Sequence, residues 1–405
     1  MKPKKNRDDP DSFPDIIHKK QKKILMFFPG RVENLPPLIT SAVALANNRV
    51  DVRICAFSSS DSTAGYLKSK NVQVVLIRDK HPGTFFRKCV MWVESFWKLY
   101  NEKRKFQPDC LWLHLGHVCA IQAFAPFIRR GVLIVVHLHE IVTYNKFLFM
   151  LTNYLTRKAD VAILPERNRA YIVKEFSRSK CRFFTIPNRP LAELITIDQP
   201  KNKAQQFFRL HGGSDNCNRF LIYQGIFTPE RCLSEIITAF SSLEAKDVGL
   251  ILMGGNKQSN YEEKLRHLAS SDNRIVFINH ISPPYHLEIT RGCHAGIALY
   301  APTRLNNIYC APNKIYEFAA CGIGMVLPDF PGMTEIAYKN QIAVLCNPME
   351  PESIKEAIST ILACKIDKSK TAEFLETEIA PEDAYREISD HLNNCVEKRR
   401  TGGLL

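Results

Sequence analysis

Short apolar runs rich in β-branched residues alternate with helical stretches along most of this chain. Seven strands are predicted in the first half, at Lys23–Phe28, Val50–Phe57, Val72–Ile77, Cys110–Leu115, Val132–Leu138, Val161–Leu164 and Arg182–Ile186. Six more are predicted in the second half, at Phe220–Gln224, Val248–Met253, Arg274–Ile278, Ala295–Tyr300, Met325–Leu327 and Ala343–Cys346. Strands that alternate with helices are typical of repeated β-α units, so the pattern predicts an α/β fold built on parallel sheets.

The periodic pattern lapses between Pro187 and Asn218, where little helical or strand signal remains. A chain of 405 residues exceeds the size at which one core stops growing, so two domains are expected. The predicted organisation is a disordered basic tail over 1–22, a Rossmann-like domain over 23–195, a linker over 196–217, a second Rossmann-like domain over 218–380, and a C-terminal helix and tail over 381–405 that is able to cross back to the first domain. Two such doubly wound domains would face each other across a cleft.

Composition favours a cytoplasmic protein. Hydrophobic residues make up 45% of the chain, and no stretch approaches the roughly 20 apolar residues that span a bilayer. The segment from Met1 to Lys23 is polar and lysine-rich, without the apolar middle region of a secretory signal. The 13 cysteines include no Cys-x-x-Cys pair, and several lie inside apolar runs, which indicates reduced, buried thiols.

The formal net charge of +14 indicates either an anionic partner or solubility alone. The chain has no zinc-finger or RNP-type strand motif, so nucleic acid is disfavoured as a partner. We expect an anionic membrane surface instead, with the protein peripheral on the cytoplasmic face of a membrane.

A predicted helix in the first half combines aromatic side chains with cations. Its apolar stripe at helical spacing is formed by Phe85, Cys89, Trp92, Val93, Phe96 and Tyr100. Trp97 widens this stripe toward solvent, and three cations follow at 103–105. Aromatic residues beside lysine and arginine are typical of an interfacial membrane helix. The alternative is a core helix that covers the first sheet.

The segment 309–322 contains the strongest candidate site. Pro312 has a φ suited to the first turn of a helix, so a helix is predicted to begin there with free N–H groups that favour anions. Lys314 adds a positive charge to this turn, and Glu317 shares a face with Asn313, where it could accept hydrogen bonds from a diol. Together these features indicate a nucleotide-sugar site; the alternative is an ordinary surface helix with capping residues.

Three glycines follow predicted strands, where a ligand could approach the backbone. Gly225 ends one strand and Arg231 lies six residues later, in reach of a phosphate; alternatively, Arg231 pairs with a neighbouring glutamate on the surface. Gly254 and Gly30 follow two other strands. The first of the predicted strands lacks the three-glycine dinucleotide fingerprint, so nicotinamide and flavin cofactors are disfavoured.

A group of histidines occupies two neighbouring strand ends. His137 and His139 lie on one face by their spacing, and His114 and His117 belong to the neighbouring strand. These four could form part of a metal site in a metal-dependent hydrolase. No carboxylate-rich motif follows them, however, and ligands from different ends of the sheet would crowd one another. A single histidine at the cleft, in contact with a sugar hydroxyl, requires fewer assumptions.

Several motifs, taken in order, resemble the retaining GT-B glycosyltransferases of family 4, also described as glycosyl transferases group 1. The motifs in the second half are YQG, LILMGGN, RIVFINHIS, AGIALYAP, PNKIYEFAACGIGMVLPDFPGM and TEI. Those in the first half are KILMFFPG, VVHLHE, ADVAILPERNR and TIPNR. The resemblance covers nearly all of residues 23–350 and implies a GT-B fold.

The resemblance also implies roles for individual residues. Glu317 would hold the ribose hydroxyls of the donor, and Arg231 would neutralise its phosphates as the leaving group departs. His139 matches the family's cleft histidine. The implied donor-binding residues are Gly30, Gly225, Gly254, Tyr309, Asn313, Lys314 and Glu317.

Two positions depart from the family pattern. Tyr309 stands where many members have the first of two glutamates, and Ile226 stands where a basic residue is usual. Members with the Pro-Asn-Lys form of the motif also lack that glutamate, so activity remains compatible with the sequence, whereas the identity of the donor sugar becomes open.

We therefore expect a retaining hexosyltransferase that uses a nucleotide-diphosphate sugar, with uridine as the base, and needs no metal ion. The expected acceptor is a saccharide or a lipid-linked saccharide in cell-surface polysaccharide or lipopolysaccharide assembly. Two alternatives stand beside it: a catalytically inactive GT-B scaffold that binds nucleotide or a partner protein, and the metal-dependent hydrolase.

Overall fold

The structure, a computed structural model, describes residues 21–77, 85–115, 129–143, 145–195, 203–255, 260–281, 284–378 and 380–400. The predicted basic tail lies outside these residues except at 21–22, and His117 lies outside them as well. All 13 predicted strands are present, with ends that differ by a few residues at most.

The first domain is built on a seven-stranded parallel sheet. Its strands are β1 Lys23–Arg31, β2 Asp51–Ser58, β3 Val72–Leu76, β4 Cys110–Leu115, β5 Leu133–Leu138, β6 Val161–Leu164 and β7 Arg182–Thr185. They lie in the order β3-β2-β1-β4-β5-β6-β7. The strand order reverses beside β1, which is the switch point where doubly wound sheets open a ligand crevice.

The second domain repeats this architecture on six parallel strands. They are β8 Arg219–Gly225, β9 Val248–Gly254, β10 Ile275–Asn279, β11 Ala295–Ile297, β12 Gly324–Pro328 and β13 Ala343–Cys346. Their order is β10-β9-β8-β11-β12-β13, so β8 takes the place that β1 has in the first sheet.

Helices cover both faces of each sheet. Those of the first half are α1 Pro36–Asn47, α2 Asp61–Ser69, α3 Phe85–Phe106, α4 Lys146–Lys158, α5 Arg167–Ser177 and α6 Ala192–Ile195. Those of the second half are α7 Lys203–Leu210, α8 Leu233–Ser241, α9 Tyr261–Leu268, α10 Leu287–Thr290, α11 Leu305–Ile308, α12 Lys314–Ala320, α13 Pro331–Asn340, α14 Pro351–Ala363, α15 Lys368–Thr377 and α16 Pro381–Arg400. Short 3-10 helices occur at Val32–Asn34 and Pro229–Arg231.

Two predicted boundaries are corrected by the packing. Lys22, assigned to the tail, is buried and donates from Nζ to the Ser389 carbonyl at 2.6 Å. Within the predicted linker, α7 inserts the fully buried Phe208 into the core of the second domain. Its apolar side chains at 204, 207 and 208 lie on one side of a helix of eight residues, a pattern too short to stand out in a polar stretch.

The C-terminal helix α16 crosses back to the first domain. It packs against α1, and its residues Tyr385, Ile388 and Leu392 are buried in the first core together with Trp112. The other face of the first sheet is covered by α3, α4 and α5, through residues such as Leu99 of α3.

The helix α3 contributes to the core under the first sheet, as expected for the alternative of a core helix. Leu99 and Phe106 are fully or nearly fully buried. Val93, which the predicted stripe assigned to the buried side, is 58% exposed, and Trp97 is 56% exposed. Among the described residues, no helix combines the length and the apolar character needed to cross a membrane.

Candidate functional site between the two domains

A cavity of about 830 Å³ lies between the domains. The first domain lines it with Arg31, Glu33 and Ser60, which lie at or just after the carboxyl ends of β1 and β2. The second domain contributes Asn313 and Glu317. The predicted cleft is therefore present, and both residues of the Asn313–Glu317 face open into it.

Glu317 is held by a chain of buried polar side chains. Gln224, at the end of β8, donates from Nε2 to Glu317 Oε2, and Thr290 Oγ1 donates to Gln224 Oε1 at 2.8 Å. This chain fixes the orientation of the Gln224 amide, because its oxygen accepts and its nitrogen donates. His286 Nε2 lies 3.5 Å from the same Glu317 oxygen. A carboxylate oriented in this way can accept hydrogen bonds from two vicinal hydroxyls.

Lys314 places its ammonium group inside the second domain. Its Nζ lies 4.4 Å from the centroid of the Tyr223 ring. Burial, followed by the positive charge of Arg231, lowers the pKa of Lys314 to about 7, against the opposing effect of Glu317. A lysine with this pKa is a site at which an incoming anion would stabilise the charged form.

Arg231 provides the second positive charge of the site. Its guanidinium lies 4.3 Å from the centroid of the Tyr300 ring, and its charge acts on Lys314. The alternative of a surface pair is wrong for the adjacent glutamate, because Glu230 pairs with Arg304 at 3.3 Å. In the part of the chain that the structure describes, neither Arg231 nor Lys314 takes part in an ion pair. Two neighbouring basic groups that share only the nearby charge of Glu317 form a site for a doubly charged anion.

Two of the predicted glycines are required where β8 and β9 end side by side. Gly225 has φ 138° and Gly254 has φ 146°, a region that favours glycine. A Cβ on Gly254 would stand 1.8 Å from the Gly225 carbonyl oxygen, and a Cβ on Gly225 would stand 2.9 Å from Lys314 Nζ. Side chains at these positions would displace the backbone or the lysine.

The helix at the site begins later than predicted. Its first residue is Lys314 rather than Pro312, and Asn313 is the N-cap without a side-chain hydrogen bond. The helix has seven residues and Gly322 follows it in the left-handed region, with φ 68°. Because Asn313 already has helical φ and ψ, the difference concerns one turn of hydrogen bonding rather than the path of the chain.

Arg169 connects the two domains and was not singled out by the sequence analysis. It donates to the carbonyls of Tyr309 at 2.6 Å, Asn306 at 2.7 Å and His139 at 2.9 Å. Asn306 strengthens the contact, because its Oδ1 accepts from the Ile141 amide at 2.7 Å. Arg169 was visible in the motif ADVAILPERNR, but nothing in the sequence indicated that two of its partners are backbone carbonyls of the other domain.

Three of the predicted histidines come together at the ends of β4 and β5. The register pairs His114 with His137, and candidate ligand atoms of these two and His139 all lie within 4.8 Å of one another. The three histidines therefore lie at one edge of the sheet, and the expectation that they come from different ends of it is wrong. Burial lowers the pKa of all three, that of His139 to about 3, so the rings are neutral. Neutral imidazoles at this spacing could hold a metal ion.

Hydrogen bonds assign the protons of two of these rings. Ser41 Oγ donates to the Leu38 carbonyl at 2.9 Å, so it accepts from His114 Nε2 at 3.4 Å. His114 Nδ1 must then accept from His139 Nε2, at 3.1 Å. The His139 Nδ1 lone pair is consequently buried and has no partner among the described residues.

Of the predicted site residues, only Asn313 and Glu317 line the cavity, whereas Gly225, Arg231, Gly254 and Lys314 lie behind Glu317 in the second domain. The remaining candidates, His139, Tyr309 and Gly30, do not line it either. His139 turns its ring toward His114 and His137 and does not line the cavity, unlike the cleft histidine that the resemblance implies. Tyr309 meets Arg169 through its carbonyl. Gly30 lies within β1, where a Cβ would meet the Phe28 ring at 2.7 Å, and its neighbour Arg31 lines the cavity instead.

Residues 205–376 match the family model for glycosyl transferases group 1. A curated relative is the chitobiosyldiphosphodolichol beta-mannosyltransferase of Candida albicans, which is 24% identical over 197 residues. This match covers 46% of the present chain and 41% of that protein, so the chain spans less than half the length of the relative.

Solved structures of similar fold cover nearly the whole chain. HepE from Anabaena, in complex with UDP and glucose, has a TM-score of 0.71 at 16% identity and covers 92% of this chain and 100% of its own. WaaG, a glycosyltransferase involved in lipopolysaccharide biosynthesis, has a TM-score of 0.63 at 12% identity and covers 90% of this chain and 98% of its own. The predicted GT-B fold is confirmed.

Proposed function

We propose that this chain is a retaining glycosyltransferase that transfers a hexose from a nucleotide-diphosphate sugar to a saccharide or lipid-linked acceptor. The observation that carries the proposal is the grouping of Arg231 and Lys314, two basic groups that share only the nearby charge of Glu317, beside the oriented carboxylate of that residue. A diphosphate supplies the missing negative charge, and a ribose supplies the diol. The match of residues 205–376 to glycosyl transferases group 1 supports the same reaction class.

Each residue has a separate task in this proposal. Glu317 binds the ribose hydroxyls, while Arg231 and Lys314 stabilise the negative charge that develops on the diphosphate as the bond to the sugar breaks. These two cations perform the work of a metal ion, so we propose that transfer needs none. The acceptor enters from the side of the first domain, where Arg31 and Glu33 line the cavity.

Retention of anomeric configuration is proposed because this route requires no nucleophile and no general base from the protein. The acceptor hydroxyl attacks the face that the diphosphate leaves and gives its proton to the departing phosphate, so no protein nucleophile is required. Glu317 is the carboxylate whose charge acts on Lys314, and we assign it to the ribose rather than to the reacting carbon. The anomeric signal of the product in proton NMR distinguishes retention from inversion.

Uridine diphosphate hexose is the first donor to test, and a lipid-linked saccharide is the first acceptor. HepE was solved with UDP and glucose, and the Candida albicans relative is named for a dolichol-linked diphosphate acceptor. WaaG acts in lipopolysaccharide biosynthesis. We place the reaction in cell-surface polysaccharide or lipopolysaccharide assembly, at the cytoplasmic face of a membrane.

A substitution of Glu317 tests the donor site. We expect Glu317→Gln to weaken binding of the nucleotide sugar by about tenfold to a hundredfold, because two charge-assisted hydrogen bonds to the ribose are weakened. The measurement is calorimetric titration with a panel of nucleoside diphosphates and their sugars, together with release of nucleoside diphosphate in the presence of acceptor. Exposed Glu373→Gln on α15 is the matched control and should match the wild-type chain.

The two alternative functions give different outcomes in the same assays. A donor that binds through Glu317 but is never turned over with any acceptor would favour the inactive scaffold, which Tyr309 and Ile226 motivate. Stoichiometric zinc, iron or manganese in the purified protein, lost in His137→Phe, would favour the hydrolase built on the three histidines.

The Lys314 ammonium should take up a proton when a nucleoside diphosphate binds above pH 7. Its pKa is lowered to about 7 without ligand, and the phosphates raise it, so the bound form holds a proton that the free form has lost. Affinity should then fall by up to about tenfold per pH unit between pH 7.5 and 8.5. Titrations in two buffers of different ionisation enthalpy measure the uptake directly. Equal apparent enthalpies in both buffers at pH 8, or unchanged uptake in Lys314→Met, would contradict this assignment.

A further inference from the structure

The outer side of α4 is apolar where a surface helix is normally polar. Phe147 is 64% exposed, Met150 is 67% exposed and Tyr154 is 40% exposed. Their spacing of three and four residues places them on one side of the helix. The next residue after Tyr154, Leu155, is buried and anchors the helix in the first domain.

A further exposed aromatic side chain lies where α4 meets the neighbouring helix α5. Phe176 is 56% exposed, and its ring meets that of Phe149 edge to face, with centroids 5.2 Å apart. Phe149 belongs to α4, so one aromatic contact joins the two helices at the surface. Exposed apolar side chains in such a group are unusual for a surface that only contacts water.

Cations flank these apolar side chains. The sequence of α4 contains three cations and no acidic residue. Lys146 and Lys158, at its two ends, are exposed, and Lys158 Nζ lies 6.0 Å from the centroid of the Tyr154 ring. Arg157 is engaged elsewhere, because its Nε donates to the Ser177 carbonyl at 2.8 Å. Exposed aromatic rings beside lysines fit the interface of a lipid bilayer.

We propose that this surface, named the α4 face, is where the protein contacts an anionic lipid bilayer. The α4 face consists of Lys146, Phe147, Met150, Tyr154 and Lys158 of α4. The apolar side chains enter the headgroup region while the lysines attract anionic lipids. The net charge of the whole chain, +14, also favours a negatively charged membrane over an uncharged, apolar protein as the partner.

The α4 face is also placed to receive a lipid-linked acceptor. The segment before α4 contains Ile141, whose backbone N–H donates a hydrogen bond to Asn306 of the second domain. The helix therefore begins within a few residues of the contact between the domains. This part of the inference rests on the proposed function, whereas lipid binding itself does not.

The long helix α3, in the same layer of helices, is the other candidate for contact with a membrane. Trp97 and Val93 are exposed there, but exposed Glu94 lies between them in sequence and would be repelled by anionic headgroups. The absence of acidic residues from α4 is what favours the α4 face over α3.

Sedimentation with vesicles tests the inference without any donor or acceptor. The full chain is mixed with vesicles of equal parts phosphatidylcholine and phosphatidylglycerol, or of phosphatidylcholine alone. We expect binding to the anionic vesicles, with Phe147→Ser/Met150→Ser reducing the affinity at least about tenfold and Lys146→Glu/Lys158→Glu reducing it by a similar factor. All four side chains are exposed, so both double variants should keep the wild-type melting temperature.

The matched control removes two exposed aromatic residues from the second domain. Tyr285→Ser/Tyr338→Ser should bind vesicles like the wild-type chain, since these rings lie outside the α4 face. Unchanged binding in Phe147→Ser/Met150→Ser would overturn the proposal, and so would a loss caused by Trp97→Ser alone. A dimer in solution that dissociates in Phe147→Ser/Met150→Ser without any vesicle binding would show instead that the face joins two copies of this chain. If the wild-type chain binds vesicles as expected but transfers no sugar, that result would count against the proposed function and not against the membrane contact.

Discussion

Replacing Arg231 with methionine is expected to lower the turnover of sugar transfer by about a hundredfold to a thousandfold. The guanidinium has no counter-ion among the described residues, and it stands with Lys314 where a diphosphate would carry its charge. Charge develops on the leaving group as the glycosidic bond breaks, so a fixed cation there stabilises the transition state more than the bound donor. Methionine keeps apolar contact with the Tyr300 ring, which limits effects on packing.

Steady-state kinetics with a saturating acceptor, together with calorimetric donor affinity, separate the two effects. Turnover should fall much further than donor binding. Arg304→Met is the matched control: Arg304 is a neighbouring, more exposed arginine that pairs with Glu230, and its loss should change turnover less than about threefold. Partial rescue of an Arg231→Ala variant by added guanidine would support the assignment. Equal losses in both methionine variants, or a loss confined to donor affinity, would refute it.

The strands could be predicted from the sequence because parallel sheets bury both faces, which leaves apolar β-branched runs such as Val161–Leu164. The helix α7 could not, because it buries only the small Ala204 and Phe208 within a polar stretch. Lys22 was assigned to the tail because a lysine in a basic segment is usually solvated. Here its ammonium reaches a carbonyl of α16, a partner 367 residues away that no local pattern reveals.

In the candidate site, contacts between residues close in sequence could also be predicted, whereas contacts between residues far apart in sequence could not. Glu317 and Lys314 lie in one helical segment, so their proximity followed from helical spacing. The side chain that orients Glu317 comes from Gln224, 93 residues earlier, and meets it only because β8 ends beside the start of α12. Gln224 lay inside a quoted motif, yet an amide in a strand carries no signal of its role. The inward turn of His139 likewise depends on the pairing of β4 with β5.

The three clustered histidines should make the protein markedly less stable below pH 6.5. Burial lowers the pKa of His114, His137 and His139 in the folded state, so the unfolded chain binds more protons below the ordinary histidine value. The free energy of unfolding must therefore fall as pH decreases from about 6.5, and this loss continues down to the pKa of the folded state. Each group contributes up to about 1.4 kcal/mol per pH unit, so the three together contribute up to about 4 kcal/mol per unit.

Urea unfolding at pH 7.5, 6.5 and 5.5 measures this dependence in a window chosen to isolate the histidines. Lys22 and Lys314, with pKa values lowered to about 8 and about 7, are charged in both states below pH 6.5 and add little there. Above pH 5.5 most carboxylates are ionised in both states. His137→Phe fills a similar volume next to Trp112 and should reduce the slope by about 1.4 kcal/mol per pH unit, whereas exposed His211→Gln should leave it unchanged. A stability that is flat between pH 6.5 and 5.5 would mean that these rings accept protons in the folded state, and that the cluster is open to water or to a counter-ion.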